Sequence, residues 1–167
     1  GETAADFTGS SGNFQNVKVN ASGADVNQIG AATFDGTLII VANSTYDAGN
    51  DGLTVTGDVS CSGTFLGNST TAISHGSLTI ASGGTYSATS GTTTLTKDDT
   101  SQFLYETISG ATFTNNDGTV LITGDGKLKP RAGTGNFHNL EINASGNTID
   151  QSIDLTCEGN LKITAGN

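Results

Sequence analysis

The stretch Gly12-Asn13-Phe14-Gln15-Asn16-Val17-Lys18-Val19-Asn20-Ala21-Ser22-Gly23 returns downstream as Gly135-Asn136-Phe137-His138-Asn139-Leu140-Glu141-Ile142-Asn143-Ala144-Ser145-Gly146. Eight of the twelve positions are identical, and Val/Leu and Val/Ile exchange conservatively. A match of that length is an internal repeat, and repeats decide architecture before local propensity does. A second block follows each copy in the same order. Leu53-Thr54-Val55-Thr56-Gly57-Asp58-Val59-Ser60 corresponds to Leu155-Thr156-Cys157-Glu158-Gly159-Asn160-Leu161-Lys162. The spacing between blocks is longer in the first copy, which predicts an insertion around 31–51. The chain reads as a duplicated module within one continuous structure. The first copy covers 1–110 with insertions, and the second, truncated copy covers 111–167.

Within the modules, short runs alternate apolar and polar residues, as in Leu53-x-Val55, Leu78-x-Ile80, Leu140-x-Ile142 and Leu161-x-Ile163. Gly, Asn, Asp or Ser bounds each run, supplying positive φ or side-chain-to-backbone turns. Thr and Val suit a pleated surface. One segment departs from this texture. Over 97–109, Phe103, Leu104, Tyr105 and Ile108 fall at helix-like spacing, which suggests one short helix or turn within 100–109. Elsewhere no run carries a 3.6-residue period with caps.

Two all-β architectures accommodate this pattern: a parallel β-solenoid of stacked coils, or a tandem of small β-sandwiches. The strand cores hold only two or three inward apolar residues, large aromatics are few, and the G-x-L-x-I/V texture recurs with variable corners. Those features favour the solenoid.

The runs Asn136-Phe137-His138-Asn139-Leu140-Glu141-Ile142-Asn143, Leu155-x-Cys157-x-Gly159-Asn160-Leu161-x-Ile163 and Ala111-Thr112-Phe113-Thr114-Asn115-Asn116-Asp117-Gly118-Thr119-Val120 resemble a module of very long repetitive proteins. These are bacterial surface and filamentous adhesin-like chains and phage tail or fibre proteins. The resemblance covers the second half well and the first half in diluted form, and its motifs are structural and low in complexity. It implies a parallel β-solenoid shaft and a structural role in an extracellular fibre, surface appendage or virion. Adhesion to a cell-surface glycan, self-association and contact with other structural subunits are the partnerships it suggests.

Composition narrows the function further. Sixteen acidic residues against six basic ones give a net charge of −10, which opposes binding to nucleic-acid phosphates or an anionic membrane surface. The basic residues cluster only around 127–131. No apolar run approaches the ~18 residues of a membrane helix, so no membrane insertion is expected. A chain opening Gly1-Glu2-Thr3 without Met is expected to be a processed product or a piece of something longer. Cys61 and Cys157 are the only cysteines, and either a disulfide or two buried thiols is compatible with their surroundings.

Chemistry-bearing motifs are sparse, and no enzymatic activity is expected. His75 and His138 lie in no metal-ligand array, and His138, standing where the first copy has Gln15, reads as an exposed polar position. The catalytic candidates are Asp98, Asp99 and Glu106, because carboxylate pairs on neighbouring coils are what a solenoid enzyme cutting polysaccharide would use. They define the rival reading, a polysaccharide-binding or depolymerising spike. No cofactor is expected. Asp51, Asp117 and Asp125 sit in Asx-Gly turns whose oxygens suit Ca²⁺, although such turns need Asx-Gly for their own geometry. The pairs Thr54/Thr56, Thr92/Thr94 and Thr112/Thr114 invite comparison with ice-binding faces. They do not recur at one coil spacing, so no flat hydroxyl ladder is expected.

Overall fold

The computed structural model describes residues 5–8, 14–69, 72–130, 136–145, 148–151 and 154–165. Sheet A holds β1 (Ala5–Thr8), β3 (Asp25–Ile29), β6 (Thr45–Asp47), β9 (Thr64–Leu66), β12 (Thr85–Ser87) and β15 (Thr112–Thr114). Sheet B holds β4 (Ala32–Phe34), β7 (Leu53–Val55), β10 (Ala72–His75), β13 (Thr92–Leu95), β16 (Thr119–Ile122), β18 (Asn139–Asn143) and β20 (Leu161–Ala165). Sheet C holds β2 (Val17–Val19), β5 (Leu38–Ile40), β8 (Val59–Cys61), β11 (Leu78–Ile80), β14 (Phe103–Thr107), β17 (Gly126–Lys129) and β19 (Ile149–Gln151). From β4 to β17 the chain visits B, C and A in turn, and each circuit lays one rung on the last, whereas β18, β19 and β20 alternate between sheets B and C.

The protein is a parallel β-solenoid of about seven turns. The sandwich alternative fails because the strand pairs among the described residues are parallel and consecutive strands enter different sheets. The sheets run without a break through Gly110 and Ala111, where β15 pairs with β12 and β16 with β13.

Most strands are three residues long, with either two inward side chains flanking one outward or the reverse. Corners follow, and two kinds are legible in physical terms. Between sheets C and A, backbone bonds from Ala24 to Ala21, Ser44 to Val41, Gly84 to Ala81 and Ala111 to Ile108 close tight turns. Their third residues, Gly23, Asn43, Gly83 and Gly110, have φ of 77°, 61°, 78° and 85°, the left-handed conformation that Gly and Asn tolerate. Between sheets B and C the rungs are joined through glycine backbones. The Gly57 N–H donates to the Gly36 carbonyl at 2.9 Å, and the Gly76 N–H to the Gly57 carbonyl at 2.8 Å. A Cβ at Gly57 or Gly76 would meet the carbonyl oxygen of the preceding rung at 2.6 or 2.7 Å, so only glycine fits.

The duplicated block is explained by the same kind of corner. Asn16 Oδ1 accepts from the Thr37 N–H at 2.9 Å and from its hydroxyl at 3.1 Å. Asn139 Oδ1 accepts from the Asn160 N–H at 3.0 Å and from its side-chain amide at 3.2 Å. Gly36 and Gly159 leave the room, since a Cβ there would lie 2.3 and 2.7 Å from those asparagine oxygens. The two copies nevertheless occupy different corners. Phe14 bridges Phe34 of sheet B and leads into β2 of sheet C, whereas Phe137 bridges Cys157 and leads into β18 of sheet B. The repeat therefore encodes a type of corner that either side of the prism accepts. Asn16→Ala is expected to cost about 1 kcal/mol, the typical net worth of such bonds, and to speed amide exchange at Thr37. Asn16→Asp, which keeps the acceptor, should leave that amide protected.

The inserted segment 31–51 is one complete rung, β4, β5 and β6, because stacked positions lie 21 residues apart at this corner. Two expectations are corrected. The segment 100–109 opens on a turn at Thr100 and Ser101, closed by the Gln102 N–H donating to the Asp99 carbonyl at 3.0 Å, but it forms no helix: β14 is a strand in which Phe103 faces Lys127 and Tyr105 faces Leu128, leaving Leu104 as an extra bulged residue. The bulge turns Leu104 and Tyr105 both inward, breaks the two-residue alternation, and so imitates helical spacing. Hydroxyl columns also exist. Thr45, Thr64, Thr85 and Thr112 are register partners on sheet A, as are Thr33, Thr54, Ser74 and Thr94 on sheet B. Unequal coil lengths are absorbed at the corners, so uneven sequence spacing still yields even stacking. Their presence on two faces is what the β-propensity of Thr at outward positions produces.

The interior is columnar. Sheet B contributes Phe34, Val55, His75, Leu95, Ile122 and Ile142 in one register line. Sheet A contributes Tyr46, Phe65, Tyr86 and Phe113. Phe65 stacks on Tyr86 at 4.4 Å with rings 6° from parallel, and on Tyr46 at 6.1 Å and 17°. The aromatics are few, and Phe34, Tyr105 and Phe137 pack against the ends of this ladder.

Candidate functional site

The corner between β13 and β14 is the longest of those described throughout. Thr92 pairs with Thr119 across this rung, whereas Ala72 pairs with Thr92 on the rung before. The additional residues form the 96–102 loop, which overhangs the outer face of sheet C. Lys97 anchors it, donating from its backbone to the Gly76 carbonyl at 2.9 Å and from Nζ to Asp58 at 2.8 Å. The Ser77 hydroxyl donates to the same carboxylate at 2.8 Å.

Under this loop lies a groove of about 290 Å³ lined by Asp58, Val59, Ser60, Ser77, Thr79, Lys97, Gln102, Phe103 and Glu106. Register builds its floor: Ser60, Thr79 and Glu106 are consecutive outward partners on β8, β11 and β14. Glu106 is held by Lys129 at 2.8 Å, and the Lys129 ammonium also lies 4.6 Å from the centre of the Phe103 ring.

The sequence candidates divide around this groove. Glu106 lines it. Asp98 and Asp99 belong to the overhanging loop and do not. Asp98 Oδ1 accepts from the Asp125 N–H at 3.2 Å. Asp99 caps the loop's own turn, accepting from the Ser101 N–H at 3.0 Å and hydroxyl at 2.6 Å, and these bonds hold its carboxyl below the usual carboxylate range. Asp51 accepts from the Gly30 N–H at 2.9 Å. Asp117 has φ 58° and lies 3.4 Å from His138 Nδ1. Asp51, Asp117 and Asp125 thus sit on separate turns, and no cluster of three metal-ligating side chains occurs among the described residues.

Asp58, Ser60, Ser77 and Thr79 escaped the sequence reading because they are separated along the chain by whole coils. Only the register brings them to Gln102 and Phe103. Of the basic cluster at 127–131, Lys129 pairs with Glu106, and Arg131 lies outside the described residues.

The cysteines and His75 are remote from this groove chemistry. Cys61 and Cys157 are both free thiols. Burial pushes the Cys61 thiol up to about 12, which removes it from nucleophilic use. His138 is half-buried, with its ring one-third exposed (33%). His75 is fully buried in the sheet B column, its Nε2 2.6 Å from the Tyr86 hydroxyl.

A second, apolar hollow of about 210 Å³ opens at the last rungs, lined by Leu128, Leu140, Ile142, Ile149, Gln151, Leu155, Leu161 and Ile163. Leu161 and Ile163 are 58% and 65% exposed, although their register partners Leu140 and Ile142 pack in the interior. No helix among the described residues is long and apolar enough to cross a membrane. No family model, curated protein or solved structure matches the chain.

Proposed function

We propose that the chain is a structural shaft segment of an extracellular fibre, surface appendage or virion, without turnover of its own. The observation that carries this reading is the continuous stack of parallel rungs, in which short strands of three sheets share one apolar interior. Repeat stacks gain stability from each neighbour. Leu161 and Ile163 present an apolar face in register with Leu140 and Ile142, and in the assembled particle a rung of a second copy packs on it. Features elsewhere serve backbone geometry: glycine ladders, asparagine clasps and an aromatic column.

The test is association at high concentration, followed by sedimentation and electron microscopy. Elongated end-to-end species are expected from the wild type. The double substitution Leu161→Lys with Ile163→Lys places two charges in that rung and should return the protein to monomers, with the remaining rungs folded by circular dichroism. A wild type that stays a monodisperse monomer at every concentration would overturn the reading.

A further inference from the structure

We propose that the groove on sheet C is a binding site for a neutral glycan. This goes beyond the shaft role and does not rest on it, because the groove lies on the side of the stack, away from the Leu161 rung.

Three features select the ligand class. The charges at the groove are paired, Asp58 with Lys97 and Glu106 with Lys129, each at 2.8 Å. Neither a cation nor an anion is favoured by such a neutralised pair of sites. Neutral hydrogen-bonding groups remain: Ser60 and Thr79 on the floor and the Gln102 amide on the loop. Hydroxyls, an amide and carboxylate oxygens arranged together match the alternating donors and acceptors of vicinal diols. Phe103 adds an apolar ring, which suits the C–H face of a pyranose. A peptide strand is disfavoured, because β8, β11 and β14 are interior strands of sheet C with neighbours on both sides and offer no free edge for strand addition.

The geometry also says how the chain of sugars lies. Ser60, Thr79 and Glu106 succeed one another along the solenoid axis at the strand spacing of about 4.8 Å. An extended glycan running along the axis meets one outward side chain per rung. The volume of about 290 Å³ is at the small end of ligand pockets, roughly 300–1,000 Å³, so one sugar unit is enclosed and its neighbours rest on the open sheet. Each carboxylate is engaged by a lysine ammonium, an arrangement for accepting hydrogen bonds. Hydrolysis would instead need one carboxyl poised as a proton donor.

The experiment is saturation-transfer NMR and calorimetry with cellohexaose, maltohexaose, laminarihexaose and a neutral mannan. Polygalacturonate and hexalysine serve as charged controls. At least one neutral saccharide is expected to bind while the charged controls do not. Phe103→Ala and Gln102→Ala should each weaken binding about tenfold, the loss of roughly 1.4 kcal/mol. Thr79→Tyr fills the groove from its floor without touching the interior and should abolish binding. Thr64→Tyr, on the outer face of sheet A, should leave it intact. Saccharide binding should also persist in the Leu161→Lys, Ile163→Lys protein, which separates this site from end-to-end association. The proposal is overturned if no neutral saccharide binds the wild type, or if Thr79→Tyr binds as the wild type does.

Discussion

Phe65→Ala is expected to destabilise the solenoid by about 3–5 kcal/mol, the cost of emptying a buried aromatic site. Phe65 has no exposed surface. It stacks on Tyr86 at 4.4 Å and on Tyr46 at 6.1 Å, and it meets the His75 ring edge-on at 6.0 Å. Its neighbours cannot close the cavity, because hydrogen bonds fix the distance between rungs and Tyr46 and Tyr86 belong to rungs on either side. The lesion should also be polar in its reach. In a nearest-neighbour stack, weakening one rung uncouples the segments on its two sides, so denaturation of the variant should become broader or biphasic. Phe14→Ala is the control. Phe14 is 42% exposed and meets the Phe34 ring edge-on at 6.2 Å, so a loss of about 1 kcal/mol is expected from its smaller buried area. Guanidinium unfolding and amide exchange in β6, β9 and β12 measure both. Equal losses in the two variants would show that the aromatic column carries no special share of the stability.

The architecture was legible in the sequence because its cause is local. A three-residue strand followed by a glycine or asparagine corner leaves a visible signature, as in Leu53-x-Val55-x-Gly57 and Leu78-x-Ile80. The corner clasp of Asn16 and Asn139 leaves one as well, as the longest internal repeat. What stayed hidden depends on register. The bulge at Leu104 mimicked a helix because one extra residue places two apolar side chains side by side. The hydroxyl columns were missed because their members are unevenly spaced in the chain and evenly spaced in the stack. The groove was half legible for the same reason. The 97–109 segment stood out by composition, and Glu106 and Phe103 within it do reach the groove. Its opposite wall, Asp58 and Ser77, lies on other coils. Asp98 and Asp99, the more conspicuous acids, accept instead from the Asp125 N–H on another turn and from Ser101 within the loop.

The second large effect is an acid sensitivity centred on His75. Burial lowers its pKa from the ordinary 6.5 to about 3. Nε2 meets the Tyr86 hydroxyl at 2.6 Å, while Nδ1 has no partner. The neutral ring therefore already leaves one nitrogen unsatisfied. The protonated ring would add a buried charge with a donor facing apolar neighbours, Val55 and Leu95 in its own register line and Phe65 across the core. Above pH 6.5 the ring is neutral in both the folded and unfolded chain, so His75 contributes no pH dependence. Between pH 6.5 and about 3 the unfolded chain takes a proton that the folded chain refuses, and stability falls as the pH is lowered. Below about pH 3 the loss levels off. At ~1.36 kcal/mol per pH unit, the cumulative loss reaches several kcal/mol, comparable with the stability of a small domain. Carboxylates with depressed pKa, Asp99 through Ser101 and Glu141 through Lys162, also lose their stabilisation as the pH falls below the ordinary carboxylate range. Their contribution is common to wild type and variant and cancels in the comparison. His75→Leu matches the flanking Val55 and Leu95 and removes the titrating group, so its midpoint of unfolding should fall less steeply between pH 6.5 and 3 than that of the wild type. Parallel pH profiles for the two proteins, or an imidazole that titrates near 6.5 by NMR in the folded state, would show that His75 is not held neutral by the core.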